Sequence, residues 1–225
     1  MTIRHHYHDK LEVIKEDVYQ MGMLTKTALE KASKALKRRD KGAAAIIIAE
    51  DEQINQLELK IENQCVIILA TEQPVASNLR FLISTLKAIR DLERIGDYAA
   101  HLAKVTLNTA DNSVWVPGDI PRMTELCLEM LKATLTAYLS QDSAAARQIK
   151  LRDEEVDKKY LQLVSSLSLA IKNDPGHIKN LTSLVLLAKY LERLGDHITA
   201  ICDEILYMCT GKRDEEDNQM QDRET

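Results

Sequence analysis

Between Leu79 and Leu107 the apolar positions advance in alternating steps of three and four: Leu79, Leu82, Leu86, Ile89, then 93 and 96, then Ala100, Ala103 and Leu107. That spacing predicts a long amphipathic helix with one buried seam. Positions 93 and 96 break the seam, because they are Glu93 and Gly96. The same spacing returns from Ile178 through Leu181, Val185, Ala188, Glu192, Gly195, Thr199 and Cys202 to Leu206, with a Glu and a Gly at the same two points. An unpaired carboxylate in a seam costs several kcal/mol even after relaxation. A mid-helix Gly gives up roughly 1 kcal/mol of helix propensity, and its usual return is close approach of another group to the backbone. Both defects together, twice, point to a site.

The rest of the chain divides in the same manner. Turn-forming stretches occur around Asp40, at Thr71 to Pro74, at Asp111 to Pro121, around Asp142, at Asn173 to Gly176 and at Gly211. They cut the sequence into six helices. A shift of 102 positions lays Met21 on Met123, Leu29 on Leu131, Asp40 on Asp142, Asp51 on Asp153 and Leu59 on Leu161. The third helices match at a shift of 99, Glu93 on Glu192 and Asp97 on Asp196. The three-residue difference falls in a loop, so the chain reads as an internal duplication. Short connections favour antiparallel neighbours. The predicted fold is all-α: two tandem, duplicated antiparallel three-helix bundles, residues 1–111 and 112–211, joined by a linker containing Trp115, with a disordered acidic tail at 212–225.

Asp97 and Asp196 stand four residues beyond each seam Glu, about 5 to 6 Å away at Cβ. The second helix of each half supplies an i, i+4 pair of its own: Asp51 with Asn55, and Asp153 with Asp157. Each bundle can thus gather four oxygen-bearing side chains, Asp51, Asn55, Glu93 and Asp97 in the first, Asp153, Asp157, Glu192 and Asp196 in the second. An all-oxygen set suits magnesium, calcium, manganese or iron, and the scarcity of sulfur and imidazole disfavours a dedicated zinc site. The competing reading is an ion-pair network with Arg90, Arg94 and Arg193 and no metal. A metal-dependent enzyme is a third possibility and would need an open coordination position.

Composition narrows the field further. Net charge is −5 and basic residues alternate with acids, which disfavours nucleic acid. No apolar run reaches the ~20 residues of a membrane span, so direct membrane insertion is not expected. The N-terminal stretch lacks a secretory pattern, which makes the cytoplasm the expected location. Cys65, Cys127, Cys202 and Cys209 fall within apolar helical patterns and read as reduced packing residues. His5, His6 and His8 read as a frayed, solvated end. No nucleotide-binding or nucleophile motif occurs, so catalytic residues are not expected.

The chain resembles the PhoU family. The resemblance rests on "DEQINQLELKIE", "LRFLISTLKAIRDLERIGDYAAHLAK", "DEEVDKKYLQL" and "YLERLGDHITAICDEILYMCTG", and above all on two copies of Leu-Glu-Arg-apolar-Gly-Asp a bundle apart. It implies a non-enzymatic cytoplasmic adaptor and negative regulator of phosphate uptake and phosphate-starvation signalling. Such a protein contacts the ATPase subunit of the phosphate ABC transporter and a sensor histidine kinase, is peripherally associated with these membrane partners, and forms a homodimer. It also implies divalent or trivalent metal ions (iron, manganese, magnesium, calcium or zinc), held by Asp51, Glu93 and Asp97 in the first half and by Asp153, Asp157, Glu192 and Asp196 in the second. Two departures stand out: Asn55 and Asn78 replace acids of the family pattern, which reduces the expected negative charge near the first cluster.

Overall fold

The structure, a computed structural model, describes residues 2–108, 117–173 and 175–213, with side chains from Tyr7 onward. Six helices account for nearly all of them: α1 (Thr2–Arg38), α2 (Lys41–Glu72), α3 (Ala76–Asn108), α4 (Asp119–Ser140), α5 (Ser143–Asn173) and α6 (Ile178–Thr210). A single 3-10 turn, Pro175–His177, precedes α6, and no strand occurs among the described residues. The linker around Trp115, the side chains of His5 and His6, and the chain beyond Arg213 lie outside the described residues. His8 is exposed on a backbone that is helical from Thr2.

Asp40 and Asp142 act where the sequence places turns. Each caps the following helix, accepting from Ala43 N and Ala145 N respectively, both at 2.9 Å, which satisfies one of the orphan donors of a helix start. Gly211 ends α6 in the left-handed region at φ 74°, its N–H donating to the Tyr207 carbonyl at 2.8 Å.

Helices α1, α2 and α3 pack as one bundle and α4, α5 and α6 as the other. The bundles join along α3 against α6 and α1 against α4, leaving α2 and α5 on the outside. Asp91 of α3 meets His197 of α6 (2.8 Å), Tyr98 stacks on Tyr190 (centroids 5.6 Å), and Arg80 lies against Gly211. These contacts run α3 and α6 antiparallel. One continuous core links the halves. Across it Tyr138 of α4 shares a buried 2.6 Å hydrogen bond with Thr85 of α3. Cys65, Cys127 and Cys202 are buried free thiols and Cys209 is half-buried.

The seams differ from expectation at their starts. Leu79 and Ile178 are 40% and 50% exposed, because each lies in the first turn of its helix, beyond the reach of the flanking partner. At the other end of the chain, Arg213 is not part of a disengaged tail: its guanidinium forks onto buried Glu204 at 2.9 and 3.3 Å and stacks over Tyr207.

Candidate metal centres

In the first bundle Asp51 projects from α2 onto α3 at Gly96. A Cβ there would sit 3.0 Å from Ile54 Cδ1 and 3.6 Å from Asp51 Oδ1, so the glycine makes room for Ile54 and leaves Asp51 at ordinary contact distance. Burial, and then the Asp97 charge, push the Asp51 carboxyl above the usual range, against the pull of Lys104 and His101. Burial and Asp97 also raise Glu93, with Arg94 opposing and Glu58 and Asp51 adding to the rise. Arg94 clasps this pair, Nη1 at 3.1 Å from Asp97 Oδ2 and Nε at 3.6 Å from Glu93 Oε2. The arginine-network reading therefore describes part of the first cluster.

Glu58 belongs to the same field and was not singled out from the sequence. Burial and Glu62 raise its carboxyl, and Arg94, Arg90 and Asp97 all act on it. The signal was present: Glu58 lies seven residues after Asp51, two helical turns along the same face.

The second bundle repeats the geometry in a tighter form. A Cβ on Gly195 would collide with Asp153 Oδ1 and lie 3.4 Å from Asp153 Cγ. Removing the Cβ is what lets the carboxylate rest on the α6 backbone. Asp153 Oδ1 is buried and has no hydrogen-bond partner among the described residues. Its carboxyl is pushed up to about 7 by burial first, and then by Asp157, Asp196 and Glu192. Asp196 is raised too, by burial and then by Glu192 and Asp157, against Lys189 and His197. Glu192 is held by Lys189, whose Nζ lies 2.6 and 2.5 Å from its two oxygens and 5.3 Å from the Tyr160 ring centroid. Arg193, the counterpart of Arg94, is exposed and forms no ion pair among the described residues.

The structure therefore brings Asp51, Glu93 and Asp97 within mutual electrostatic reach, and likewise Asp153, Asp157, Glu192 and Asp196. Asn55 is half-buried on α2. Asn78 is not near the first cluster. It lines a cleft by the α2–α3 loop together with Tyr7 and Glu72, 19 residues and hence roughly 28 Å along α3 from Asp97. Among the described residues no group of three or more His, Cys, Asp or Glu side chains is drawn in to the spacing of a coordination shell. What the second cluster does possess is the chemistry that calls for a cation: an orphaned buried oxygen, a glycine cradle, and carboxyls that raise one another's proton affinity. A proton or a metal ion would relieve that strain equally in sign. The first cluster already spends part of its charge on Arg94.

The PhoU domain family matches residues 18–106 and again residues 120–205. A Clostridium acetobutylicum protein described as a phosphate-specific transport system accessory protein PhoU homolog is 30% identical over 209 residues, covering 92% of this chain and 95% of that protein. A Caulobacter vibrioides protein of the same description is 34% identical over 208 residues, 92% and 90% of the two chains. The crystal structure of PhoU from Pseudomonas aeruginosa superposes with a TM-score of 0.88 at 31% identity over 92% of this chain and all of that one (100%). That of the phosphate transport system regulatory protein PhoU from Streptococcus pneumoniae gives 0.86 at 32% identity, covering 92% and 98%.

Proposed function

The chain belongs to the PhoU family, and we propose that it is a regulatory accessory of phosphate transport. In this reading it is a non-enzymatic cytoplasmic adaptor that damps phosphate-starvation signalling, linking the ATPase subunit of the phosphate ABC transporter to a sensor histidine kinase. The observation that carries it is the likeness to proteins described as phosphate transport accessory and regulatory proteins along nearly the whole chain, both halves included. No helix among the described residues is long and apolar enough to cross a membrane, in keeping with peripheral association through partners. A homodimer is part of the same proposal.

The metal sites fit within it. Asp153, Asp157, Glu192 and Asp196 would hold an ion in the second bundle, and Asp51, Glu93 and Asp97, with Asn55 beside them, in the first. A bound cation supplies positive charge between like charges. The chain's own contribution is to aim carboxylates from α5 and α6, or α2 and α3, at a common point, and to bring Asp153 onto the backbone at Gly195. Closing that point ties the outer helix of each bundle to the inner one and stiffens the surface a partner would meet.

Tagged protein should recover the transporter ATPase and the kinase from cytosol combined with detergent-solubilised membrane, with recovery changing between high and low phosphate. Recovery of neither in either condition refutes the adaptor reading. The metal part is checked separately: chelator washing should lower the melting temperature of protein purified without chelator, and an unmoved melting temperature refutes it.

A further inference from the structure

Both bundles begin with the same helical hairpin. In the first, α1 ends at Arg38, Arg39 takes φ 57°, Asp40 N donates to Ala35 O at 2.9 Å, and Asp40 caps α2. In the second, α4 ends at Ser140, Gln141 takes φ 51°, Asp142 N donates to Ala137 O at 3.0 Å, and Asp142 caps α5. The backbone is the same and the surface is not. The first hairpin carries Lys31, Lys34, Lys37, Arg38, Arg39 and Lys41, all exposed, where the second carries Ala133, Thr136, Leu139, Ser140, Gln141 and Ser143.

The second hairpin is an internal control, because it builds the turn without any of those charges. Cations at the end of α1 complement its dipole, yet α4 ends with no basic residue in its last turn, so the fold does not require them. Lys31 is paired with Glu50 at 2.7 Å. Lys34, Lys37, Arg38 and Lys41 form no ion pair among the described residues, and the Asp40 carboxylate is engaged in its cap. Beside them a cavity of about 300 Å³ opens between α1 and α2. Its rim carries three basic residues (Lys31, Lys34, Arg38) and one acid, Asp40, its floor is apolar (Ala35, Ala43, Ile47), and at its edge Ile46 is 57% exposed.

Cations ringing an aliphatic floor suit an anionic amphiphile. We propose that this end of the first bundle adsorbs to the surface of an anionic phospholipid bilayer, with headgroup phosphates on Lys34, Lys37, Arg38, Arg39 and Lys41 and the Ile46 side chain in the interface. Charge complementarity favours the bilayer over nucleic acid. The basic residues cover one hairpin tip on a chain of net charge −5; a flat surface meets only the tip, whereas a long polyanion would run onto acidic flanks. Adsorption leaves every helix outside the hydrocarbon core, and it does not depend on the regulatory role or on bound metal.

The experiment is co-sedimentation of the full chain with vesicles of phosphatidylglycerol and phosphatidylcholine, and with vesicles of phosphatidylcholine alone. The chain should pellet with the anionic vesicles only, and the more weakly as NaCl rises. A variant carrying the second hairpin's residues (Lys34→Thr, Arg38→Ser, Arg39→Gln, Lys41→Ser) should partition roughly six-hundredfold less, at about fivefold for each of the four cations. Ile46→Ser should bind less while keeping the parent's salt dependence. If the fourfold variant loses its helical signal, Lys34→Thr with Lys37→Gln serves instead, with an expected loss of about twentyfold. Equal pelleting with both vesicle types, equal binding by folded variant and parent, or capture of duplex DNA with the vesicles left unbound would each overturn the proposal.

Discussion

Replacing Asp153 with Asn keeps the shape of the side chain and removes its charge. In the unfolded chain this carboxyl titrates near 3.8, and in the fold it is pushed up to about 7. Between those values the folded chain holds a proton that the unfolded chain has released, so the contribution of Asp153 to stability is fully present below about pH 4 and is lost as pH rises through 7. At about 1.36 kcal/mol per pH unit the full displacement amounts to about 4 kcal/mol; for a half-buried group that water and salt still screen, roughly 2 kcal/mol is the working figure. Asp153→Asn should therefore match the parent within about 1 kcal/mol at pH 4. In chelator at pH 8 it should exceed the parent by roughly 2 kcal/mol, which for a chain of this length raises the melting temperature by about 4 to 8 °C. Asp196 is shifted the same way and stays in the variant, so the pH slope is reduced and not abolished. Thermal melts followed by helical circular dichroism from pH 4 to pH 8, with chelator and again with Mn²⁺, make the test. With Mn²⁺ the order should reverse, since the parent gains a ligand the variant lacks. Parallel pH profiles for the two proteins in chelator would refute the reasoning, because they would mean that Asp153 carries no buried, destabilising charge.

Gly195→Ala should leave the chelated protein's melting temperature within a few degrees, because about 1 kcal/mol of helix propensity offsets the displaced Asp153, yet it should abolish stabilisation by Mn²⁺; Gly96→Ala, whose Cβ clears Asp51 Oδ1 at 3.6 Å, should keep part of that response. Asp153→Ala with Asp196→Ala should remove more bound metal, by elemental analysis, than Asp51→Ala with Asp97→Ala, and equal losses would contradict the ranking of the two sites. Tyr138→Phe leaves the buried Thr85 hydroxyl without its 2.6 Å partner and should cost about 1 to 3 kcal/mol, a fall in melting temperature of roughly 2 to 12 °C; adding Thr85→Val should recover part of the loss, and strictly additive losses would show that the bond is not the cause.

Periodicity and duplication sufficed for the architecture, since a three-and-four seam broken by Asp40, Pro74, Asp142 and Gly211 leaves few ways to arrange six helices. The site was legible as far as local spacing reaches. Glu93 with Asp97, and Glu192 with Asp196, share faces that a helical wheel finds, and a glycine one turn past each Glu announces that something comes close. What comes close was not legible, because the approach of Asp153 to Gly195 depends on how α5 is rotated against α6. Long side chains were the least legible of all. Arg94 and Arg193 follow their Glu residues at identical spacing, and one clasps its acids while the other does not. The difference lies on the facing helix: α2 offers Glu58 at the position where α5 offers Tyr160, and a ring gives a guanidinium less reason to fold inward than a carboxylate does. Asn78 was misplaced for a related reason, since its distance from the cluster runs along a helix axis that residue type does not reveal.

That asymmetry decides how the two halves of a duplicated chain divide the work. The first cluster has Asn55 in place of an acid and is neutralised in part by Arg94, Lys104 and His101, so an ion entering it must displace a guanidinium and gains less charge for doing so. In the second, Asp157 stands where the first has Asn55, Lys189 engages Glu192, and Asp153 is left with a buried oxygen that no described residue satisfies. The energetic demand for a cation is thus concentrated on α5 and α6, whereas the first bundle can hold its helices together with side chains it already has. Because α3 and α6 meet directly, through His197 on Asp91 and Tyr98 on Tyr190, an ion that draws α5 onto α6 acts on a helix already fixed to the first bundle. On the proposed metal reading, occupancy of the second half would be the variable to which the rest of the molecule responds, and the first half the frame against which that response is read.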